Sequence, residues 1–159
     1  MDGKNKGCAV LFVCLGNICR SPLAEALLKK KIDTDIHHVD SAGLDHYHLG
    51  EPPCNLTRDI CNENNCPIDH RARLFTPRDF DRFDRIYVMD ADNLRQVMQM
   101  ARSDTDRQKV SLILDELYPG EHLDVPDPYM SGRSLIHVVY NMLDQATDRI
   151  ARKIRNGEC

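Results

Sequence analysis

Cys14-Leu15-Gly16-Asn17-Ile18-Cys19-Arg20-Ser21-Pro22 is the stretch that leaves this chain the fewest options. It follows directly on Ala9-Val10-Leu11-Phe12-Val13 and leads directly into Leu23-Ala24-Glu25-Ala26-Leu27-Leu28-Lys29-Lys30-Lys31. A short, unbroken apolar run reads as a strand buried on both faces. The second run reads as a helix, with Ser21 as its cap, Pro22 at its first position and Glu25 in its first turn. The chain must therefore pass from strand to helix through a tight loop that begins with a cysteine and ends with an arginine.

Those residue types in that order suit a thiolate held in an anion cradle. A thiol attacks only as its thiolate. A helix N-terminus offers partial positive charge and unpaired N–H groups, Arg20 adds a full charge, and the Ser21 hydroxyl can donate to sulfur, so all three favour the thiolate of Cys14. The same parts bind substrate. The N–H groups of Leu15, Gly16, Asn17, Ile18, Cys19 and Arg20 can turn inward as a nest for phosphate. Gly16 is expected to take backbone angles that other residues resist. Asn17 can visit left-handed conformations and tie the loop together through its amide. Arg20 can grip two phosphate oxygens at once. A buried cysteine in an ordinary turn would need none of these companions.

The rest of the chain supplies the frame. Apolar runs at 9–13, 85–89 and 110–114, with a further plausible strand at 37–41 ended by Ala42-Gly43, alternate with helical patterns. The clearest of these places Leu135, Val139, Met142, Leu143, Ala146, Ile150 and Ile154 on one face at a period near 3.6. The pattern predicts an α/β fold: one domain over 1–159, a central four-stranded parallel sheet and helices on both faces. Residues 1–7 are expected to be flexible and 155–159 to fray. In such folds ligands bind at the carboxyl ends of the strands, where Cys14 lies. A net charge of −4 and the lack of long basic or apolar tracts argue against nucleic-acid or membrane binding. With no secretory or lipidation signal, the expected compartment is the cytoplasm. Seven cysteines, an odd number, are then expected to be mostly reduced thiols.

A thiolate and a cradle still lack a proton for the leaving group, a contribution of about 10²–10⁴ in rate. The best donor is Asp127, in Asp124-Val125-Pro126-Asp127-Pro128-Tyr129, where flanking prolines stiffen a carboxyl that can hang over a pocket.

With these residues in hand, the chain resembles the low-molecular-weight protein tyrosine phosphatases. The loop of residues 14–22 and Asp127-Pro128-Tyr129 carry the resemblance, which spans residues 10–154. Ser41-Ala42-Gly43, Asp69-His70-Arg71-Ala72-Arg73 and Phe83-Asp84-Arg85-Ile86-Tyr87-Val88-Met89-Asp90 support it. The resemblance implies a protein tyrosine phosphatase acting on phosphotyrosine and small aryl phosphates through a phosphocysteine on Cys14. Arg20 would hold the phosphoryl group, and Asp127 would act first as acid and then as base. Ser21 and His70 would support the site, His70 by holding Asn17, while Tyr47, His48 and Tyr129 would line the cleft. Asp90 is expected to be structural. Cys19 would pair with an oxidised Cys14. Ile18 points the same way, since phosphoarginine-directed relatives resemble this loop but carry a threonine there. The partners implied are tyrosine-phosphorylated proteins, with inorganic phosphate as product and inhibitor. No metal and no cofactor are implied, and the chain is expected to be a monomer or a weak dimer.

Two positions depart from the family pattern. Cys54 stands where an aspartate usually follows Pro-Pro, and Met130 follows Tyr129 where a second tyrosine is common. Three other readings compete. Cys54, Cys61 and Cys66 could relay a disulfide as in arsenate reductases of this fold, but the Ile18 and Pro22 pattern and Asp127-Pro128-Tyr129 favour hydrolysis. Cys54, Cys61, Cys66 and His70 could bind zinc, but lack a Cys-x-x-Cys. A non-catalytic phosphotyrosine-binding module would be expected to have lost the nucleophile or the acid, and neither is missing.

Overall fold

Strand β1 (Ala9–Cys14) is buried on both sides, which is why its sequence does not alternate. In the computed structural model, which describes residues 7–130 and 133–159, β1 lies inside a four-stranded parallel sheet of order β2-β1-β3-β4. The other strands are β2 (His38–Gly43), β3 (Arg85–Val88) and β4 (Val110–Leu112). Helices α1 (Arg20–Lys29), α2 (Asn55–Glu63) and α6 (Arg133–Arg155) cover one face. There Val10 and Phe12 pack with Leu23, Leu27, Val139 and Leu143. On the other face Leu11 and Val13 pack with Phe80 of α3 (Asp79–Arg82) and Val97 of α4 (Ala91–Met100). The predicted α/β architecture is thus the observed one. α3 and the short α5 (Asp104–Gln108) were not expected, being too short and too charged to show an apolar period. No helix among the described residues is long and apolar enough to cross a membrane.

The chain moves from β1 outward to β2, then back across β1 to β3. The crevice at the end of β1 therefore opens where the winding reverses, the place such sheets keep for ligands. Cys14 is the last residue of β1 and pairs in register with Gly43. A side chain on Gly43 would bring its Cβ to 2.9 Å from both the Leu15 carbonyl oxygen and Asn17 Cβ. Glycine here is what lets the loop after Cys14 lie down on the end of β2.

Four expectations need correction. Helix α1 starts at Arg20 with Cys19 as its cap, which makes no side-chain capping bond. Ser21 lies inside the helix, fully buried, because its hydroxyl is committed to the loop instead. The end of the chain does not fray: Gly157, at φ 78°, and Glu158 donate back to the carbonyls of Ile154 and Lys153, closing α6 in a Schellman turn. The cysteines are not mostly reduced. Cys8 bonds Cys159 and Cys19 bonds Cys54, while Cys14, Cys61 and Cys66 are free and buried. Their partners lie 151 and 35 residues apart, so spacing gave no sign of either bridge. Of the stretch expected to be flexible, residues 1–6 lie outside the described residues.

Candidate active site

The loop is held from outside. The Leu15 carbonyl accepts from the N–H groups of Leu44 and Asp45, Ile18 from Cys54, and Cys19 from Leu23 and the Thr57 hydroxyl. In a trans peptide the N–H points opposite to the C=O. With these carbonyls turned outward, the N–H groups of Gly16, Cys19 and Arg20 turn toward the concave side, as an anion nest requires. Asn17 takes the left-handed turn, at φ 57°, so the conformational freedom expected of Gly16 is spent one residue later. Gly16 is small for a different reason: a Cβ there would stand 3.1 Å from the His48 ring.

Cys14 sits at the base. Its sulfur lies 2.9 Å from the Ser21 hydroxyl and 3.3 Å from the Asn17 N–H, and the residue is 3% exposed. Asn17, fully buried, donates to the hydroxyls of Ser21 and Ser41 at 2.8 and 2.9 Å. Its amide oxygen accepts from the Arg73 backbone N–H at 3.0 Å and faces His70 Nε2 at 2.7 Å. The Arg73 N–H fixes which amide atom is oxygen, so His70 must donate from Nε2. His70 Nδ1 in turn lies 3.1 Å from Glu25 Oε1. Burial raises the Glu25 carboxyl, but hydrogen bonds from His70, Lys29 and Ser41 outweigh it and hold it below the usual range. The expected His70–Asn17 contact is thus present. Glu25, read as a first-turn helix acid, is instead the buried anchor beneath it. Helical spacing gave no signal for it, since Glu25 stands two residues from both Leu23 and Leu27 and so off the face they share.

Arg20 is 3% exposed and aimed by two bonds, to Asp90 at 2.7 Å and to the Val125 carbonyl at 2.9 Å. Burial works against its charge; Cys14, Asp90 and Asp127 more than offset this and hold it above its ordinary value. Asp90, expected to be structural, does both jobs: it caps α4 through the Asn93 N–H and orients Arg20. Asp127 Oδ2 lies 3.7 Å from Arg20 Nη2, and Oδ1 accepts from the Tyr129 N–H, which fixes the carboxyl over the loop.

These groups share one pocket of about 200 Å³, with Cys14 and Arg20 buried at its floor and Asp45, Tyr47, Asp127 and Tyr129 among its lining. Tyr47, His48 and Tyr129 all line this pocket. His48, with Nδ1 bonded to Glu51, meets the edge of Tyr129 at 5.6 Å between ring centres. Tyr47, 81% exposed, also stacks on His46. Met130 has a side chain outside the described residues. The grouping of Cys54, Cys61, Cys66 and His70 does not converge: Cys54 is bonded to Cys19 and His70 faces Asn17 and Glu25.

A buried thiol and guanidinium beneath a ring of N–H groups, with a carboxyl overhead, at the end of a parallel strand, define a cysteine-based phosphatase. The model for the low molecular weight phosphotyrosine protein phosphatases matches residues 9–158. A low molecular weight protein-tyrosine-phosphatase of Streptomyces coelicolor is 36% identical, covering 92% of this chain and 93% of its own. The human low molecular weight phosphotyrosine protein phosphatase is 39% identical over 83% of this chain and 86% of its own. Among solved structures, a protein tyrosine phosphatase of Entamoeba histolytica superposes with TM-score 0.88 at 34% identity, covering 96% of this chain and 100% of that one. YfkJ of Bacillus subtilis gives 0.86 at 33%, covering 97% and 98%. The chain belongs to the low molecular weight phosphotyrosine protein phosphatase family.

Proposed function

We propose that this chain hydrolyses phosphotyrosine in proteins, and small aryl phosphates, in two steps at Cys14. The thiolate attacks phosphorus in line, and Asp127 gives its proton to the departing phenolic oxygen. The phosphoryl group then rests on Cys14, its oxygens held by Arg20 and the loop N–H groups. Asp127, now a carboxylate, takes a proton from water as the water attacks; phosphate forms and Cys14 leaves as thiolate. The observation that carries this reading is the convergence of Cys14, Arg20 and Asp127 on one pocket, with Asp127 3.7 Å from Arg20. Charge that builds on the equatorial oxygens meets donors already in position. The aromatic rim of Tyr129, His48 and Tyr47 supports a flat aryl ester over an alkyl one. The Ser21 hydroxyl, 2.9 Å from sulfur, supports Cys14 both as nucleophile and as leaving group. Inorganic phosphate, which fits the same nest, inhibits as product. The chain acts on tyrosine-phosphorylated proteins as a monomer or weak dimer, in the cytoplasm.

Hydrolysis of p-nitrophenyl phosphate and of a phosphotyrosine peptide tests the reading. Cys14→Ser abolishes both. Asp127→Ala slows esters of poor leaving groups by about 10²–10⁴ and activated aryl esters far less. Wild-type turnover in Cys14→Ser would sink the nucleophile, and equal slowing of all esters would remove Asp127 as the acid.

A further inference from the structure

Cys19 and Cys54 cap α1 and α2, so their disulfide joins the starts of two helices at the edge of the phosphate loop. The contact is built around it: the Cys54 N–H donates to the Ile18 carbonyl at 2.7 Å, and the Thr57 hydroxyl to the Cys19 carbonyl at 2.9 Å. Cys14, which lines the same pocket as Cys19, remains a free thiol. Cys19 therefore shares the pocket with the nucleophile and is bonded to Cys54, while Cys14 is left unbonded.

We propose that Cys54 takes oxidation off the nucleophile: a disulfide first formed between Cys14 and Cys19 is handed on to Cys19 and Cys54, which restores Cys14 without outside help. The proposal rests on the phosphatase reading of Cys14, since it concerns the same site. The reactions start from three reduced cysteines and a peroxide. The Cys14 thiolate attacks the peroxide O–O bond, giving a sulfenic acid and an alcohol or water. The Cys19 thiolate displaces hydroxide from that sulfur, forming Cys14–Cys19 and, with a proton, water. The Cys54 thiolate then attacks Cys19 sulfur, the Cys14–Cys19 bond breaks, and Cys14 leaves as thiolate. Two electrons have passed from the protein to the peroxide, and the end state is the pairing seen in the structure.

The direction of the last step follows from the surroundings. A better-stabilised thiolate leaves faster. Cys14 departs into contacts already made for it, with Ser21, the Asn17 N–H and the charge of Arg20. The Cα atoms of Cys19 and Cys54 are 5.5 Å apart, inside the usual range for a bridge. The device works once per reduction. With Cys19 already bonded, a second peroxide carries Cys14 on toward sulfinic acid, which thiols do not reverse. An external thiol resets it through the adjoining groove of about 260 Å³, which Cys54 lines with Pro52, Pro53 and Arg58.

The test uses fully reduced, desalted protein given one equivalent of hydrogen peroxide, with peroxide then removed and no thiol added. Alkylation and peptide mapping over time follow each sulfur, and p-nitrophenyl phosphate hydrolysis is read in parallel. In the wild type, Cys14 is first blocked and then alkylatable again, the final disulfide is Cys19–Cys54, and activity returns. In Cys54→Ser, and equally in Cys54→Ala, the final disulfide is Cys14–Cys19. Activity there, relative to the same variant's reduced value, stays lost until dithiothreitol is added. Recovery of Cys54→Ser at the wild-type rate, or a wild-type end state of Cys14–Cys19, overturns the proposal. The mapping decides it whatever the turnover; absence of hydrolysis by the reduced wild type before peroxide would instead count against the phosphatase reading.

Discussion

At the scale of single residues, the site depends on groups that touch no substrate. Arg20 is a buried cation whose direction is set by Asp90 and the Val125 carbonyl. A hydrogen bond between charged partners contributes about 1.5–3 kcal/mol. Asp90→Asn keeps a side chain able to cap α4 but removes the charge facing Arg20. The expected result is a fall in kcat/KM of at least about tenfold, since each 1.4 kcal/mol is about a factor of ten, with a melting temperature close to wild type. An unchanged kcat/KM would show that Val125 and the cradle aim Arg20 without it. Cys14, Arg20 and Asp127 were all legible in the sequence, because each is a residue type with few other uses in its context. Asp90 and Glu25 were not read as part of the site. Their roles are bonds across 70 residues to Arg20 and across 16 to Ser41, and nothing local marks such distances.

At the scale of elements, strand β1 and helix α1 were readable from an apolar run and a Ser-Pro start, yet the reading erred by two residues at the join. Ser21 has the chemistry of a cap, and only the tertiary structure shows that its hydroxyl is claimed by Cys14 and Asn17. The neighbouring strand matters as much. Gly43 is the floor on which the loop rests, and a methyl there meets the Leu15 carbonyl and Asn17, neither of which can move without moving the cradle. Gly43→Ala is expected to destabilise the protein by about 1–3 kcal/mol, as overpacking does, and to abolish most activity. Gly120, at φ 79° with open space around it, gives the contrast: Gly120→Ala strains the backbone far from the site. It should lower the melting temperature while leaving kcat intact. Thermal unfolding and aryl phosphate hydrolysis on both variants check the pair; full activity in Gly43→Ala would mean the loop is more pliable than its packing implies.

At the scale of the whole molecule, the buried network from Glu25 ties α1, β2 and the segment around His70 together beneath the loop. Its carboxyl is held below the free value, so the stability it contributes is complete above the free carboxyl value of about 4.3. That stability is withdrawn as pH falls through the lower folded value. The wild type should therefore exceed Glu25→Gln in melting temperature at neutral pH, by a margin that shrinks steadily on acidification below about pH 4. A margin independent of pH would assign the difference to packing. The Cys8–Cys159 bridge acts on the same scale in a different way. It joins two residues 151 positions apart in sequence into a covalent loop, and the two Cα atoms stand 5.7 Å apart. Topologically, residues 8–159 form a ring. A single cut in the exposed turn around Gly120 would leave one molecule, not two, and the two pieces would separate only on reduction. Residues 8 and 159 are also near enough to be joined directly, so the order in which the elements are synthesised is separable from the order in which they pack.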